Sequence, residues 1–453
     1  MNIKTPQIDY KFDWTVLLVS CLSAIAYIIL FRVIYVDYLV KLFEYIGFKK
    51  ITDTTYEVPI TDFLAFLPII FFQAKKVPSD FIAILTYLVI HIPTVITLQY
   101  QFRDYDGIII YQVVFTFAQI LFFLASWHPL SSQRFENNTD RIPMRVYVIA
   151  GVAVLVALVA FFGTQLKFVS FQDVYSLRSE NDKFARGAFF VPYFCMWTAD
   201  FFAPLFIAYG CHKKQWIYVG LGFFSALIVY MATGTKSAIL LPFVTLGIYY
   251  LMSLKRMVSI KYVLPVFVVV ILIFYIICAS TDNKILYLAA TVLFMRTLGV
   301  AGWLATGYIT VFNAYPYTFY SHIGIVNFFT GMYPFHNPSL GNAVWSIYRG
   351  WGVNTNANAN FLLTDGYAAM GITGMILISI VFFVILIYTN KLSNNHDMPF
   401  VLAMLTGAIL AFTNISLFTA FVSCGFFFCL ILLRYTDTRK SNNPSTDNPP
   451  ADE

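Results

Sequence analysis

YVLPVFVVVILIFYIICAS, residues 262–280, runs for nineteen residues without a charged side chain. A membrane-spanning helix needs about 20 mostly apolar residues, and this stretch meets that condition unaided. Reading outward from it, eleven more runs of the same kind appear, at 14–36, 58–72, 80–98, 107–127, 146–163, 187–210, 216–232, 237–253, 361–388, 398–413 and 415–434. The first, WTVLLVSCLSAIAYIILFRVIYV, is too long for the apolar part of a signal peptide and has no small-residue cleavage site after it, so it reads as a retained anchor.

The composition agrees. Of 453 residues, 59% are hydrophobic, 19% aromatic and 11% charged, and the mean hydropathy is +0.72. Soluble domains carry about 25% charge, so too little polar side chain is present here to coat a soluble protein of this size. Disordered, fibrous and disulfide-scaffold classes are excluded by the same arithmetic. The expected fold is all-α: one polytopic transmembrane domain over 1–434 with about twelve helices, then a polar tail, 435–453, that reads as disordered and cytoplasmic.

Charge sets the expected orientation. With the N-terminus inside, sixteen of the 29 Lys and Arg residues fall on inner segments, at roughly twice the density of the outer ones, as the positive-inside rule asks. Both termini are then cytoplasmic, and the net charge of +6 calls for no nucleic acid. The six cysteines sit in or beside apolar runs and show no CxxC or Cys/His metal spacing.

One region breaks the rhythm. Residues 281–360 form a long outer loop. Within it, 285–311 reads as a helix lying at the outer surface, and 312–360 is rich in Gly, Pro, Asn and aromatics. Long ordered loops of this kind are usually functional. The two halves of the chain do not match as the inverted repeats of a transporter would.

Cations gather where an outer face should be poor in them. DVYSLRSENDKFARGAFF carries Arg178 and Arg186, ATGTKSAI carries Lys236, and the long loop adds Arg296 and Arg349. Arg offers planar paired donors that match phosphate oxygens, and Lys adds a point charge. Arg178, Arg186, Lys236 and Arg296 are therefore expected to line one cavity for a diphosphate, whose charge grows as its bond to a sugar breaks. Each also has a plain reading, since an Arg near a span end commonly snorkels to the headgroups. Lys236 resists it, sitting in a tight turn of small residues at membrane depth. Asp104-Tyr105-Asp106 reads as a helix start rather than a metal-binding DxD, and no nucleotide loop or hydrolase motif appears. Neither a metal nor a cofactor is expected.

The basic stretch LRSENDKFARGAFFVPYF, the turn TGTKSAI and the loop closing into NANFLLTDGYAAMGITG together resemble Wzy-type O-antigen polymerases. These are oligosaccharide repeat-unit polymerases related to O-antigen ligases. The resemblance implies a GT-C-like fold and a metal-independent glycosyltransferase at the periplasmic face of a bacterial inner membrane. Donor and acceptor would both be glycans on undecaprenyl pyrophosphate, and membrane lipids and a Wzz-type chain-length regulator would be partners. The spacing of the basic loop does not choose between Arg178 and Arg186. An O-antigen ligase shares the expected fold; a repeat-unit flippase should show similar halves and short outer loops.

Transfer to a sugar hydroxyl is helped by a base within reach. His336, beside Asn337-Pro338, is the expected base because imidazole titrates near neutral pH. Asp365, at a helix start, is the expected supporting group, with Glu180 behind them. Arg349, Asn356 and Asn358 are expected to contact glycan.

Overall fold

The computed structural model describes residues 13–51, 57–103, 105–132, 141–170, 173–185, 187–254, 260–280, 283–336, 339–350 and 356–438. Every regular element among them is a helix. In an apolar solvent a backbone must satisfy its own N–H and C=O groups, and a helix does so within one segment.

Ten helices among the described residues are long and apolar enough to cross a membrane: Trp14–Ile46, Pro78–Gln101, Asp106–Trp127, Met144–Gln165, Val191–Lys213, Trp216–Thr233, Lys236–Ser253, Ile260–Ser280, Lys284–Ala314 and Leu362–Ser393. Twelve were expected. Missing from the ten are 58–72, 398–413 and 415–434, which are short or broken. Glu57–Phe66 tightens into a 3-10 turn at Pro68, Met398–Met404 is separated from Thr406–Phe412 at Leu405, and the last stretch is interrupted at Gly425, whose left-handed φ of 74° stops a helix.

Hydrogen bonds sort the helix ends into two groups. At one end, Asp13 N donates to Gln73 Oε1 (3.0 Å), Trp127 Nε1 donates to the Phe71 carbonyl (2.8 Å), and Ile142 N donates to the Tyr435 carbonyl (3.0 Å). The first and last described helices both have their outer termini here, so we call it the terminus end. At the opposite, loop end, Gln101 Nε2 donates to the Gly47 carbonyl (3.3 Å) and Tyr230 OH to the Val169 carbonyl (2.7 Å). The polar tail begins later than expected: Thr436 and Thr438 are buried at the terminus end, because His212 and His396 both bond Thr438. Residues 439–453 lie outside the described residues.

Lys284–Ala314 is one 31-residue rod, long enough to cross, but its contacts run sideways. Phe294 meets the Tyr38 ring (5.4 Å between centroids), Gly302 presses on Thr97, and Asn313 Oδ1 accepts from Tyr111 OH (3.3 Å). Tyr38, Thr97 and Tyr111 all lie in the loop-end parts of three different helices, so the rod lies across that end. It is not laid on an exposed surface: residues 302–309 are buried, and Leu340–Arg349 covers them through a Trp303–Trp345 contact of 4.9 Å.

The expected tenth span, 361–388, is not one straight helix. Met370 (φ −149°, ψ 26°) and Gly371 (φ 63°, ψ −145°) leave the helical region. Phe361 and Phe382 would lie about 30 Å apart on a continuous helix, yet their rings are 4.5 Å apart. Residues 361–370 therefore fold back as a half-helix along 372–393. Gly374 packs on the Gly366 carbonyl so closely that no Cβ would fit.

Candidate functional site

The half-helix starts deep in the bundle. Asn360 caps it: Leu362 N donates to Asn360 Oδ1 and Thr364 N to its carbonyl, both at 3.1 Å. An N-terminus with its donors pointing inward carries about half a positive charge and favours anions. Asn360 is 2% exposed, and its Nδ2 has no hydrogen-bond partner among the described residues. Buried polar atoms are nearly always bonded, so an amide left open here marks a place for an acceptor.

That side chain lines a cavity of about 460 Å³, together with Arg296, Thr413 and Asn414 on the polar side and Val89 and Phe267 on the apolar side. Arg296 comes from a locally widened, π-helical turn of the transverse rod, Phe294–Gly299. Such turns re-aim side chains and recur at functional sites. Arg296 is exposed and shares the cavity's lining with Leu85, Val89 and Phe267, from the middle of two other helices; an ionisable side chain at that depth is costly unless used.

The turn after Phe412 joins this cavity to a second polar cluster. Thr413 and Asn414 face the cavity, while Ser416 Oγ donates to Asp365 Oδ1 (2.7 Å) and Leu417 N donates to Asp365 Oδ2. His322 Nε2 meets Asp365 Oδ1 at 3.3 Å, and its Nδ1 meets Thr318 Oγ1 at 2.8 Å. Thr318 Oγ1 can also donate to the Ala368 carbonyl (3.1 Å). If Thr318 donates to Nδ1, neutral His322 donates Nε2–H to the carboxylate. If Thr318 donates to Ala368, Nδ1–H donates to Thr318, and the Nε2–Asp365 contact needs one further proton, on Nε2 or on the carboxyl. The arrangement can hold a proton in either of two places. Phe319 and Tyr320, just before His322, have φ of 45° and 64°, a left-handed conformation that costs non-glycine residues about 1–2 kcal/mol each.

The expected site residues are placed as follows. Asp365 is fully buried and central, but its histidine is His322; His336 is exposed. Arg178 Nη2 donates to the Gly234 carbonyl (3.3 Å), over the turn that precedes Lys236. Arg178 and Lys236 are thus together, while Arg296 stands in the separate cavity described above. Arg186 lies outside the described residues. Arg349 Nη2 donates to the Tyr45 carbonyl, holding the end of the first helix. Asn356 packs on Gly341, and Asn358 is exposed. Glu180 pairs with Lys167 at 3.9 Å on the surface. Among the described residues no three His, Cys, Asp or Glu side chains gather as a metal site.

Sequence reasoning missed Asn360, His322 and Ser416. His322 and His336 are the two histidines of the long loop, so His322 was findable as the alternative partner for Asp365. Asn360 and Ser416 carried no local signal. No protein-family model, no curated protein and no solved structure matches this chain.

Proposed function

We propose that this protein is a GT-C-like glycosyltransferase of a bacterial inner membrane, one that polymerises oligosaccharide repeat units carried on undecaprenyl pyrophosphate. Its loop end faces the periplasm and both termini face the cytoplasm. The observation that supports this reading most is that Arg296 and the open Asn360 amide, at a buried helix N-terminus, line one cavity. Together they supply a charge-assisted donor, a neutral donor and a helix dipole to one anion, as a diphosphate leaving group requires.

The reaction follows from that placement. The donor's diphosphate sits against Arg296 and Asn360. An acceptor sugar hydroxyl attacks the donor's anomeric carbon, a new C–O bond forms, and the bond from that carbon to the diphosphate oxygen breaks. Undecaprenyl pyrophosphate leaves with the bonding electrons, and Arg296 and the helix N-terminus stabilise the charge it gains. The acceptor proton passes to Ser416 Oγ as the Ser416 proton passes to Asp365. His322 stabilises the carboxyl and receives or returns the proton through its Nε2. His336, on the exposed rim, has no part in this transfer.

The deciding experiment is a deletion strain examined by lipopolysaccharide gel, complemented with the wild-type and Arg296→Ala genes. Loss of a polymerase leaves a single repeat on the lipid A core, and Arg296→Ala should leave the same pattern. A core with no repeats, and polymer retained on the carrier lipid, would instead identify an O-antigen ligase. Absence of any repeat from the periplasm would identify a flippase.

A further inference from the structure

Lys236–Ser253 and Ile260–Ser280 follow one another in the chain but do not pack together. The first packs on Trp216–Thr233, Val191–Lys213 and the 398–412 stretch, and the second on Trp14–Ile46 and the start of the transverse rod. Thr406–Phe412 separates two cavities. On one side is the Arg296 cavity. On the other is a larger one, about 620 Å³, and Leu410 and Asn414 belong to the walls of both.

The second chamber is graded along its length. Its deeper wall is apolar, with Leu240, Leu241 and Val244 from one helix facing Leu410 and Ala411 from the divider. Leu240 is 58% exposed and Val244 40%, so both present open hydrocarbon to the chamber. At the loop end the lining changes to the hydroxyls of Thr233, Thr235 and Ser237. Lys236 starts its helix at this same turn, and Arg178 lies over it. Asp200 is also on the wall, with its carboxyl bonded by the Cys424 thiol.

We propose that this second chamber seats a second prenyl diphosphate lipid, the acceptor, beside the donor held by Arg296. Its hydrocarbon chain lies along Leu240, Leu241 and Val244, and its phosphates lie at Thr233, Thr235, Ser237 and Lys236. The proposal rests on the reading of the Arg296 chamber as the donor site. Three features favour two lipids over one. The chambers share Leu410 and Asn414 in their walls, so two lipids seated in them would be neighbours. The divider keeps the chains apart. The turn that ends the divider carries Ser416, next to Asp365, so the two sugars meet at the proton-accepting group.

The test uses the full chain in phospholipid nanodiscs with a polyprenyl diphosphate carrying a mid-chain diazirine. Native mass spectrometry should find two probe molecules per protein. Photolabelling should mark peptides of 236–253 as well as of 78–101 and 260–280. Leu240→Trp and Val244→Trp fill the second chamber from exposed positions. Each should reduce the count to one, erase the 236–253 label, and raise the acceptor KM tenfold or more with donor labelling intact. Leu251→Trp, on the same helix outside the chamber, should change nothing. One probe per protein, labelling 78–101 and 260–280 alone, would overturn the proposal. So would a 236–253 label that the nanodisc phospholipid fully suppresses. Label in the second chamber alone, unaffected by Arg296→Ala, would instead overturn the donor reading and leave this chamber as the prenyl site.

Discussion

The two ends of the bundle use similar polar groups to opposite effect. At the terminus end several of them close on one another. His396 bonds both Thr438 Oγ1 (3.1 Å) and the Leu433 carbonyl (3.0 Å), His212 meets Asp397 at 3.5 Å, and Arg141 meets Asp437 at 3.6 Å. At the loop end, the Asn360 amide is buried without a partner among the described residues, and Arg296 and Asn414 face cavities. Groups that complete each other hold the fold. Groups that point into space at membrane depth have been kept against a cost, and a ligand is the physical reason to keep them.

Substitutions at six positions break or sharpen this contrast. The largest effect is expected from Arg296→Ala. A hydrogen bond to an ion contributes about 1.5–3 kcal/mol, so chain elongation by purified protein should fall about ten- to hundredfold or more with the melting temperature unchanged. Arg296→Lys should recover only part of it, because a point charge does not replace a planar pair of donors.

Next come the two histidines. His322→Ala should slow elongation by about 10², the low end of what general acid–base groups contribute because it acts through Asp365, and Ser416→Ala should slow it in the same direction. His336→Ala should elongate at the normal rate. A slow His336 variant beside a normal His322 variant would return the base to the exposed loop.

At the closed end the readout changes. His396→Ala leaves buried groups unsatisfied and should lower stability by about 1–3 kcal/mol, seen as a fall in melting temperature, while activity per folded molecule holds. The smallest effect is expected at Arg349. Its guanidinium holds a helix C-terminus, a contact worth about 0.3–1 kcal/mol, and Arg349→Ala should leave glycan transfer unchanged.

Much of the fold was legible because hydropathy reports solvent, and length reports thickness. Nine of the ten long helices were expected from those two quantities, and the tenth, Lys284–Ala314, was read as a surface helix. Hydropathy carries no direction, however. The 361–388 run reads the same whether it is straight or folded back at Met370, and only the close approach of Gly366 and Gly374 reverses it. The site was partly legible for a related reason. Arg296, Lys236 and Asp365 stand out as charges in apolar surroundings. His336 was expected from imidazole chemistry and its neighbours Asn337-Pro338, whereas the histidine that meets Asp365 is His322, placed there by Thr318 N donating to the Ala368 carbonyl at 2.8 Å, across fifty residues of chain. Asn360 looked like turn material because its significance lies in the depth at which the half-helix starts.

The fold-back also constrains how the chain is made. Asp365 lies in an apolar segment, and two of its three partners, Ser416 and Leu417, stand about fifty residues later in the sequence. While the ribosome works through that interval, the carboxylate is inside the membrane segment with His322 as its one companion. The half-helix therefore completes its contacts only after residues 416 and 417 have been made, and the Asp365 cluster is among the last parts of the molecule to be assembled.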